Sequence, residues 1–458
     1  MKQERFKRLL IFTMSSILIV LLLLLYWIIW SHFYADTIKL AFWTKGHWMM
    51  LAVYLLLLCI FTKVYGGQHI GSRRILDIVY SHSLAALFAN IVDYPVICLL
   101  AYKISNPLPM LLLTAMDVLV ITLWSVAAKR IYRKLYPPRK LLVVTNGSAS
   151  RFMIKRFSER NDSYKASKFI EYSQGLDAIK SECQKYDGMA LCDIPATERN
   201  ELMQYCFENN ILMYVEPSLS DLIMTGATDS TTSDTPMYLL RNCGLTAEKR
   251  FFKRMLDLVI IVPLALIMLP FMAIIALLIK FYDGGSVFYK QERLTEGGKI
   301  FMIYKFRSMR MDSEGGKARL ARKNDDRITP VGRVLRAIHF DELPQIINIL
   351  KGDMSIVGPR PERPEIAEQY KDFAPAFDYR LKVKAGLTGY AQVFGKYNTP
   401  PQDKLKLDLY YIQHQNVLLD IELILKTIKI LFVKDNTEGV EDWQLIAGSE
   451  EDAPQSSD

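Results

Sequence analysis

Apolar residues follow two different rhythms along this chain. From residue 9 to residue 30 they are almost continuous, over about the 20 residues a helix needs to cross a bilayer, and similar runs occupy residues 46–64, 83–104 and 107–128. Four spanning helices are therefore expected in the first third, with Trp27, Trp30, Trp43, Trp48 and Trp124 near several of their ends. No small-residue cleavage site follows the first run, which reads as a retained anchor. After Pro137-Pro138 the rhythm changes. Short apolar strands at residues 140–145, 169–172, 188–193 and 211–215 alternate with helix-like segments, the pattern of a small doubly wound α/β domain. Residues 225–236, rich in Ser, Thr, Asp and Gly, read as a mobile linker or loop.

A fifth apolar run, residues 255–279, differs from the first four. Asp257 lies near its start and Pro263 and Pro270 lie within it, and a proline removes one intrahelical donor and bends the helix. Lys249, Arg250, Lys253 and Arg254 precede it, while Lys280, Lys290, Arg293, Lys299, Lys305, Arg307 and Arg310 follow, so both ends carry cytoplasmic-type charge. A helix that enters one leaflet, turns at Leu269-Pro270 and returns satisfies both facts. The alternative is a kinked spanning helix, which strands the basic, carboxylate-bearing region beyond it on the far side.

Charge orients the first four runs. Lys2, Arg5, Lys7 and Arg8 precede the first, Lys63, Arg73 and Arg74 follow the second, and Lys129, Arg130, Arg133, Lys134, Arg139 and Lys140 follow the fourth, placing both termini of the bundle in the cytoplasm. At 458 residues the chain exceeds one ordinary core, and its 57 Lys and Arg against 48 Asp and Glu leave an excess that suits an anionic membrane, nucleic acid or a phosphorylated substrate. Six dispersed cysteines with no Cys-x-x-Cys pair suggest free thiols rather than a zinc site or disulfide framework. Asp93 and Asp117 inside the third and fourth runs read either as ion or substrate handling or as helix packing. Asn146-Gly147-Ser148-Ala149-Ser150 follows the first strand where a dinucleotide fold places three glycines; only one is present, which favours a regulatory or dimerising role over nucleotide binding.

The chemistry concentrates further on. Tyr304-Lys305-Phe306-Arg307-Ser308-Met309, Asp326 to Arg333, Arg336, Asp341-Glu342-Leu343-Pro344-Gln345, Gly352-Asp353-Met354-Ser355 and Gly358-Pro359-Arg360-Pro361 set guanidinium and ammonium groups beside carboxylates and a stiff turn. Such blocks suit a polyanion. Apolar positions across residues 343–350, with Pro344 in the first turn, predict a helix whose start holds Asp341 and Glu342, where free amides favour phosphate. Taken alone, an acidic pair at a helix start is a dipole-complementing cap.

Together these blocks closely resemble the bacterial sugar transferase family, the monotopic phosphoglycosyl transferases, over about residues 250–432. The likeness includes Val357-Gly358-Pro359-Arg360-Pro361, Gly386-Leu387-Thr388-Gly389-Tyr390-Ala391-Gln392 and Asp408-Leu409-Tyr410-Tyr411. It implies the large form of that family: a four-helix transmembrane bundle (1–136), a degenerate Rossmann-like α/β domain with linker (137–248), an α/β catalytic domain anchored by a re-entrant helix broken at Pro270 (249–435), and an acidic, disordered tail (436–458). It further implies a multi-pass protein of the bacterial inner membrane, catalytic domain on the cytoplasmic face. There a polyprenyl-phosphate hexose-1-phosphate transferase moves sugar 1-phosphate from a UDP-sugar, UDP-glucose or UDP-galactose, to undecaprenyl phosphate. This initiates exopolysaccharide, capsule or O-antigen assembly.

By that resemblance Asp341 is the nucleophile, Asp341 and Glu342 hold Mg2+, and Arg336, Arg360, Lys305, Arg307, Arg333, Pro359, Pro361, Thr388 and Gln392 form the substrate and phosphate site. The expected partners are the lipid bilayer and a second copy in a homodimer; nucleic acid is not among them. Two departures stand out: His339-Phe340 precedes the acidic pair where many relatives have Ser-Leu, and Val393-Phe394-Gly395-Lys396 ends in Lys where many have Arg. Lys keeps the charge and loses the planar fork. Two other readings are a membrane sensor or scaffold with an inactive transferase domain, and a transporter resting on the spans and Asp93.

Overall fold

A computed structural model describes residues 2–37, 44–67, 70–71, 73–146, 164–232, 234–240, 244–309, 327–395 and 399–431. Gly147 to Ser150, Trp43, Cys243, Arg310, Asp326, Lys396 and residues 436–458 lie outside these residues. The chain is mostly helical, with apolar helices near its start followed by α/β structure, and it divides into two compact units, residues 1–216 and 217–458.

In the first unit the four expected membrane helices are α1 (Lys2–Ile29), α2 (Thr44–Tyr65), α3 (Ile75–Ala101) and α4 (Leu108–Leu135), all long and apolar enough to cross a bilayer. Their shared core joins Leu18, Leu22 and Tyr26 of α1 to Met50, Tyr54 and Leu58 of α2, with Ala86 and Ala89 of α3 and Leu113 and Ile121 of α4. The alanines on α3 let backbones approach closely, which is how helices associate where burial from water supplies no drive. Polar links fix the register: the Tyr54 hydroxyl donates to Asn90 Oδ1 (2.7 Å), and Asn90 Nδ2 donates to Thr114 Oγ1 (2.9 Å) and Asp117 Oδ2 (3.2 Å). Asp117 thus has a packing bond from α3, and Asp93 is buried in the same bundle.

Strands β1 (Arg139–Thr145), β2 (Tyr164–Glu171), β3 (Gly188–Cys192) and β4 (Leu212–Val215) form a wholly parallel sheet in the order 2-1-3-4. Helices α5 (Leu176–Cys183) and α6 (Ala196–Glu208) pack Ile179, Cys183, Leu202 and Cys206 against Leu142, Val144 and Leu191. Strand β2 begins five residues earlier than its apolar signal, because pairing with β1 carries the polar Tyr164 to Lys168 segment into the sheet.

The second unit begins with α7 (Leu219–Met224). The segment expected to be a mobile linker is instead an antiparallel hairpin of β5 (Thr228–Thr232) and β6 (Thr235–Leu239). Its threonines explain the difference, since β-branched side chains favour extended backbone. Next comes α8 (Ala247–Asp283), helical without interruption through Pro263 and Pro270 and closed by Gly284 in the left-handed region (φ 71°). An antiparallel pair, β7 (Phe288–Leu294) and β8 (Ile300–Phe306), leads to α9 (Pro330–Ala337), α10 (Gln345–Lys351) and β9 (Ser355–Val357). After α11 (Pro364–Phe373), β10 (Gly386–Thr388) pairs in parallel with β9, and α12 (Tyr390–Phe394), α13 (Pro401–His414) and α14 (Val417–Leu431) complete the unit.

Both parts of α8 pack on this one domain. Ile261, with Ile260, Ala265 and Met268, joins the core of Ile303, Ile346, Val357 and Leu423, while Ile275 and Ile279 join Phe306, Leu335, Phe340 and Leu343. The first turns are also bonded in. Lys253 Nζ donates to Val357 O (2.9 Å), to the Tyr411 hydroxyl (3.1 Å) and to Asp420 Oδ2 (2.7 Å), and Asp257 accepts from Ser355 Oγ (2.8 Å) and Ile356 N (3.1 Å). A buried ion pair that loses one partner leaves an uncompensated charge, at about 3 kcal/mol or more. Lys253→Met is therefore expected to lower the melting temperature of the purified protein far more than Lys249→Met at the exposed start of the same helix. Equal melting curves for the two variants contradict this.

Candidate active site

The acidic pair does not sit on a helix start. His339 takes the left-handed conformation (φ 57°), a strained choice for a residue with a Cβ, and reverses the chain after α9. Phe340, Asp341 and Glu342 then form a single 3-10 turn, and α10 begins only at Gln345, after Pro344. The expectation of a helix over 343–350 with the pair in its first turn is corrected accordingly: the reversal at His339 spends those residues on the turn. Phe340 and Leu343, on either side of the pair, are held by Ile275 and Ile279 of the apolar helix.

Within this turn the two carboxylates have different surroundings. Glu342 Oε1 accepts from Lys305 Nζ on β8 (2.7 Å) and from Arg360 Nη2 in the Gly-Pro-Arg-Pro turn (2.8 Å). Burial pushes Glu342 up, and the Arg360 and Lys305 charges outweigh it, holding this carboxyl well below the usual range. Asp341 has no hydrogen-bond or ion-pair partner among the described residues. Burial raises its carboxyl above the ordinary value; Lys305 opposes the rise, Glu342 adds to it, and Arg336 and His339 oppose it. Arg336 Nη1 is buried without a hydrogen-bond partner among the described residues, a donor available to an oxygen that enters beside Asp341. One carboxylate is thus fixed as an organiser of cations, and its neighbour is left with its lone pairs unengaged.

Lys305, Arg336, Asp341, Glu342 and Arg360 form this cluster. Arg307 is buried at the end of β8, its amide donating to Val287 O (3.0 Å), while Arg333 is exposed on α9, one turn before Arg336. Pro359 and Pro361 are buried and act through their carbonyls, which accept from Gly386 N (2.9 Å) and Arg293 Nη1 (3.0 Å). Thr388 and Gln392 are held elsewhere: Thr388 Oγ1 lies 2.6 Å from Thr427 Oγ1, and Gln392 Nε2 donates to Leu387 O (3.0 Å). Their bonds serve the β10 to α14 packing. The two carboxylates are also the donor set that the expected Mg2+ requires, since that ion takes one or two carboxylates plus substrate phosphate and water.

Glycine makes the arginine-bearing turn possible. A Cβ on Gly358 falls 2.3 Å from Lys384 O, and one on Gly389 falls 2.1 Å from Gly358 O, so only hydrogen fits where these backbones cross. Behind the turn lies an ion network that sequence reasoning missed. Arg380 Nη2 donates to Arg360 O (2.9 Å) and pairs with Asp408 Oδ2 (2.8 Å), while Glu362 accepts from Lys404 (2.9 Å) and lies 3.5 Å from Arg380 and 4.0 Å from Arg293. Glu362 follows the turn directly and Asp408 opens a block already noted, yet Arg380 and Lys404, the cations that join them, lie 18 and 42 residues from Glu362 in sequence.

Burial pushes Glu362 up, and Lys404 and Arg380 overcome it, bringing the carboxyl from an ordinary 4.5 down to about 2. A depressed carboxylate stabilises the fold above its unfolded value, and that stabilisation is lost as pH falls toward the folded one. Glu362→Gln is therefore expected to lose about 3 kcal/mol at neutral pH. It is also expected to flatten the parent's decline in melting temperature between pH 4.5 and about 2. Parallel melting profiles over that window rule this out.

The family model for the bacterial sugar transferase matches residues 248–434. A UDP-N-acetylgalactosamine-undecaprenyl-phosphate N-acetylgalactosaminephosphotransferase of Aeromonas hydrophila is 40% identical over 184 residues, 40% of this chain and 44% of that protein. A UDP-glucose:undecaprenyl-phosphate glucose-1-phosphate transferase of Caulobacter vibrioides is 37% identical over 40% of this chain and 71% of its own length. An undecaprenyl-phosphate galactose phosphotransferase of Salmonella typhimurium is 38% identical over 41% of this chain and 42% of its own. The matched stretch spans less than half of the Aeromonas and Salmonella proteins. It contains the whole cluster around Asp341 and includes most of the Caulobacter protein, and on that ground the chain belongs to the bacterial sugar transferase family.

Proposed function

We propose that this protein transfers a sugar 1-phosphate from a UDP-sugar to undecaprenyl phosphate, releasing UMP, as the first membrane step of exopolysaccharide, capsule or O-antigen assembly. The observation that carries this reading is the division of labour in one turn: Glu342 holds Lys305 and Arg360 together, while the adjacent Asp341 carboxylate is unengaged among the described residues. An Asp341 oxygen attacks the sugar-bearing phosphorus, the bond to the bridging oxygen breaks, and UMP departs with that electron pair. An undecaprenyl phosphate oxygen then attacks the same phosphorus and releases Asp341 with its electrons. Splitting the exchange lets a soluble donor leave before a lipid acceptor arrives. Arg336, Lys305 and Arg360 bind the non-bridging oxygens. Asp341 with support from Glu342 would hold Mg2+, which would supply neutralisation of the diphosphate charge.

The sugar is a hexose or its N-acetylated form; relatives named for glucose, galactose and N-acetylgalactosamine support that range. We read the parallel sheet of residues 137–248 as a Rossmann-like domain without the phosphate turn, and the assembly as a homodimer in the bacterial inner membrane.

Helix α8 is read as re-entrant, the catalytic unit on the cytoplasmic side. Residues as far apart as Lys253 and Ile279 engage one domain, whereas a spanning helix separates positions about 20 residues apart by the full hydrocarbon thickness. A charged α/β domain does not follow a helix across that layer.

Asp341→Asn is expected to reduce UMP release by at least about 1,000-fold and Glu342→Gln nearly as much, with membrane insertion intact. With labelled UDP-sugar and an acid quench, the parent is expected to carry hydroxylamine-labile label on Asp341; undiminished turnover without protein-bound label sinks the covalent scheme. For the helix, cysteines placed at Lys249 and at Gly285 in a cysteine-free background are expected to react with an impermeant maleimide only from the cytoplasmic side. Labelling from opposite sides makes α8 a spanning helix.

A further inference from the structure

The Gly352-Asp353-Met354-Ser355 block is not part of the cluster around Asp341. Its first and last residues line a separate cavity of about 350 Å3 between the first turns of α8, the end of α10 and the loop before β10. Five cations line this cavity: Arg250, Lys253, Arg254, Lys351 and Lys384. Two are matched by carboxylates, Arg250 by Glu296 (3.2 Å) and Lys253 by Asp420 (2.7 Å), and the lining carboxylate Asp257 is satisfied by Ser355 and the Ile356 amide.

The other three meet only neutral acceptors among the described residues. Arg254 donates to Ile349 O (2.6 Å) and Leu350 O (2.8 Å), Lys384 to Gly352 O (2.7 Å) and Lys351 to the Tyr304 hydroxyl (3.2 Å). A Cβ on Gly352 stands 3.7 Å from both Arg254 Nη2 and Lys384 Nζ, so the two charges converge on one point. Capping α10 does not account for them, because a helix C-terminus carries about half an elementary charge and three cations surround this one. Like charges gathered without a counter-charge repel, and an anion between them removes that repulsion. On the same wall, Gln415 is buried, its Nε2 committed to the Tyr411 hydroxyl (2.9 Å) and its Oε1 without a partner among the described residues. That acceptor calls for a donor on the ligand.

We infer that this cavity is a second anion site, distinct from the Asp341 cluster, which binds a phosphate ester carrying a free hydroxyl group: phosphate between Arg254, Lys351 and Lys384, hydroxyl toward Gln415 Oε1. The same chemistry has two sources, the glycerophosphate headgroup of an anionic lipid and a soluble phosphate ester. The cavity opens beside the helix that carries the apolar run, which suits the first; its size admits the second.

The full-length protein decides between them, with each measurement made in an Arg360→Gln background so that phosphate at the Asp341 cluster does not report. In detergent, glycerol 3-phosphate is expected to raise the melting temperature with a saturable dependence. In nanodiscs, phosphatidylglycerol is expected to be retained over phosphatidylcholine by native mass spectrometry. Lys351→Gln and Lys384→Gln together are expected to weaken whichever ligand binds by at least tenfold, and the charge-matched control Lys165→Gln with Lys299→Gln to leave it unchanged. Lys351→Gln alone, which alters only the contact with Tyr304, repeats the effect at smaller size should the double variant be unstable. Retention of the lipid without a response to glycerol 3-phosphate identifies a lipid headgroup; a response to glycerol 3-phosphate identifies a soluble ester. Binding of both ligands unaltered by Lys351→Gln and by the double variant, or no binding of either, overturns the inference.

Discussion

The ammonium of Lys253 lies buried where the apolar helix meets the β9–β10 pair, and the three oxygens around it come from three elements: the end of β9, α13 and α14. An ammonium out of water is tolerated only with its donors satisfied, so this one group requires the helix, the strand and the two C-terminal helices to be in register. Val357, whose carbonyl it holds, is followed directly by the turn that carries Arg360. Arg360 is thereby referred to the same anchor as the apolar helix. The neighbouring contacts of Arg254 with Ile349 and Leu350 and of Asp257 with Ser355 repeat the arrangement within one turn of helix.

The electrostatics of the acidic pair follow from which cations the fold delivers to which carboxylate. Two adjacent carboxylates repel, and the fold separates them by giving Glu342 two close cations and Asp341 none within bonding distance among the described residues. The group with firm partners stays ionised and immobile. The group in the less compensated setting keeps a more basic oxygen.

Much of this was legible in order along the chain. Continuous apolar runs placed α1 to α4, because twenty apolar positions admit little else, although α1 and α3 begin seven and eight residues before their runs and α4 ends seven residues after its own; alternation placed the four parallel strands. The blocks around Lys305, Arg336, Asp341 and Arg360, read as suited to a polyanion, do meet in one cluster. Their geometry did not follow from that. A helix start was expected at Asp341 because nothing in His339 signals that it will take a left-handed conformation; the demand comes from the chain reversal. The hairpin over residues 228–239 was hidden by small polar residues whose extended preference outweighed their loop-like composition. Glu362, Arg380 and Asp408 were unreadable as a unit, since ion partners just before α11, in the 3-10 segment Phe377–Lys382 and on α13 meet only once the domain has closed. The resemblance put Thr388 among the substrate contacts, and no pattern in the sequence signalled that its hydroxyl lies 2.6 Å from Thr427 Oγ1.

The glycine crossing at Gly358, Gly386 and Gly389 has a consequence for the timing of entropy loss. Backbones packed within hydrogen's reach cannot fluctuate independently, and Gly386 N and Arg380 Nη2 hold the Pro359 and Arg360 carbonyls that follow Gly358. The freedom of the Arg360 backbone is therefore surrendered when the domain folds, and only the torsions of its side chain remain to be ordered afterwards. On the proposed reading, a phosphate arriving at this turn meets a guanidinium on a mount that has already stopped moving, so more of its interaction energy is expressed as affinity.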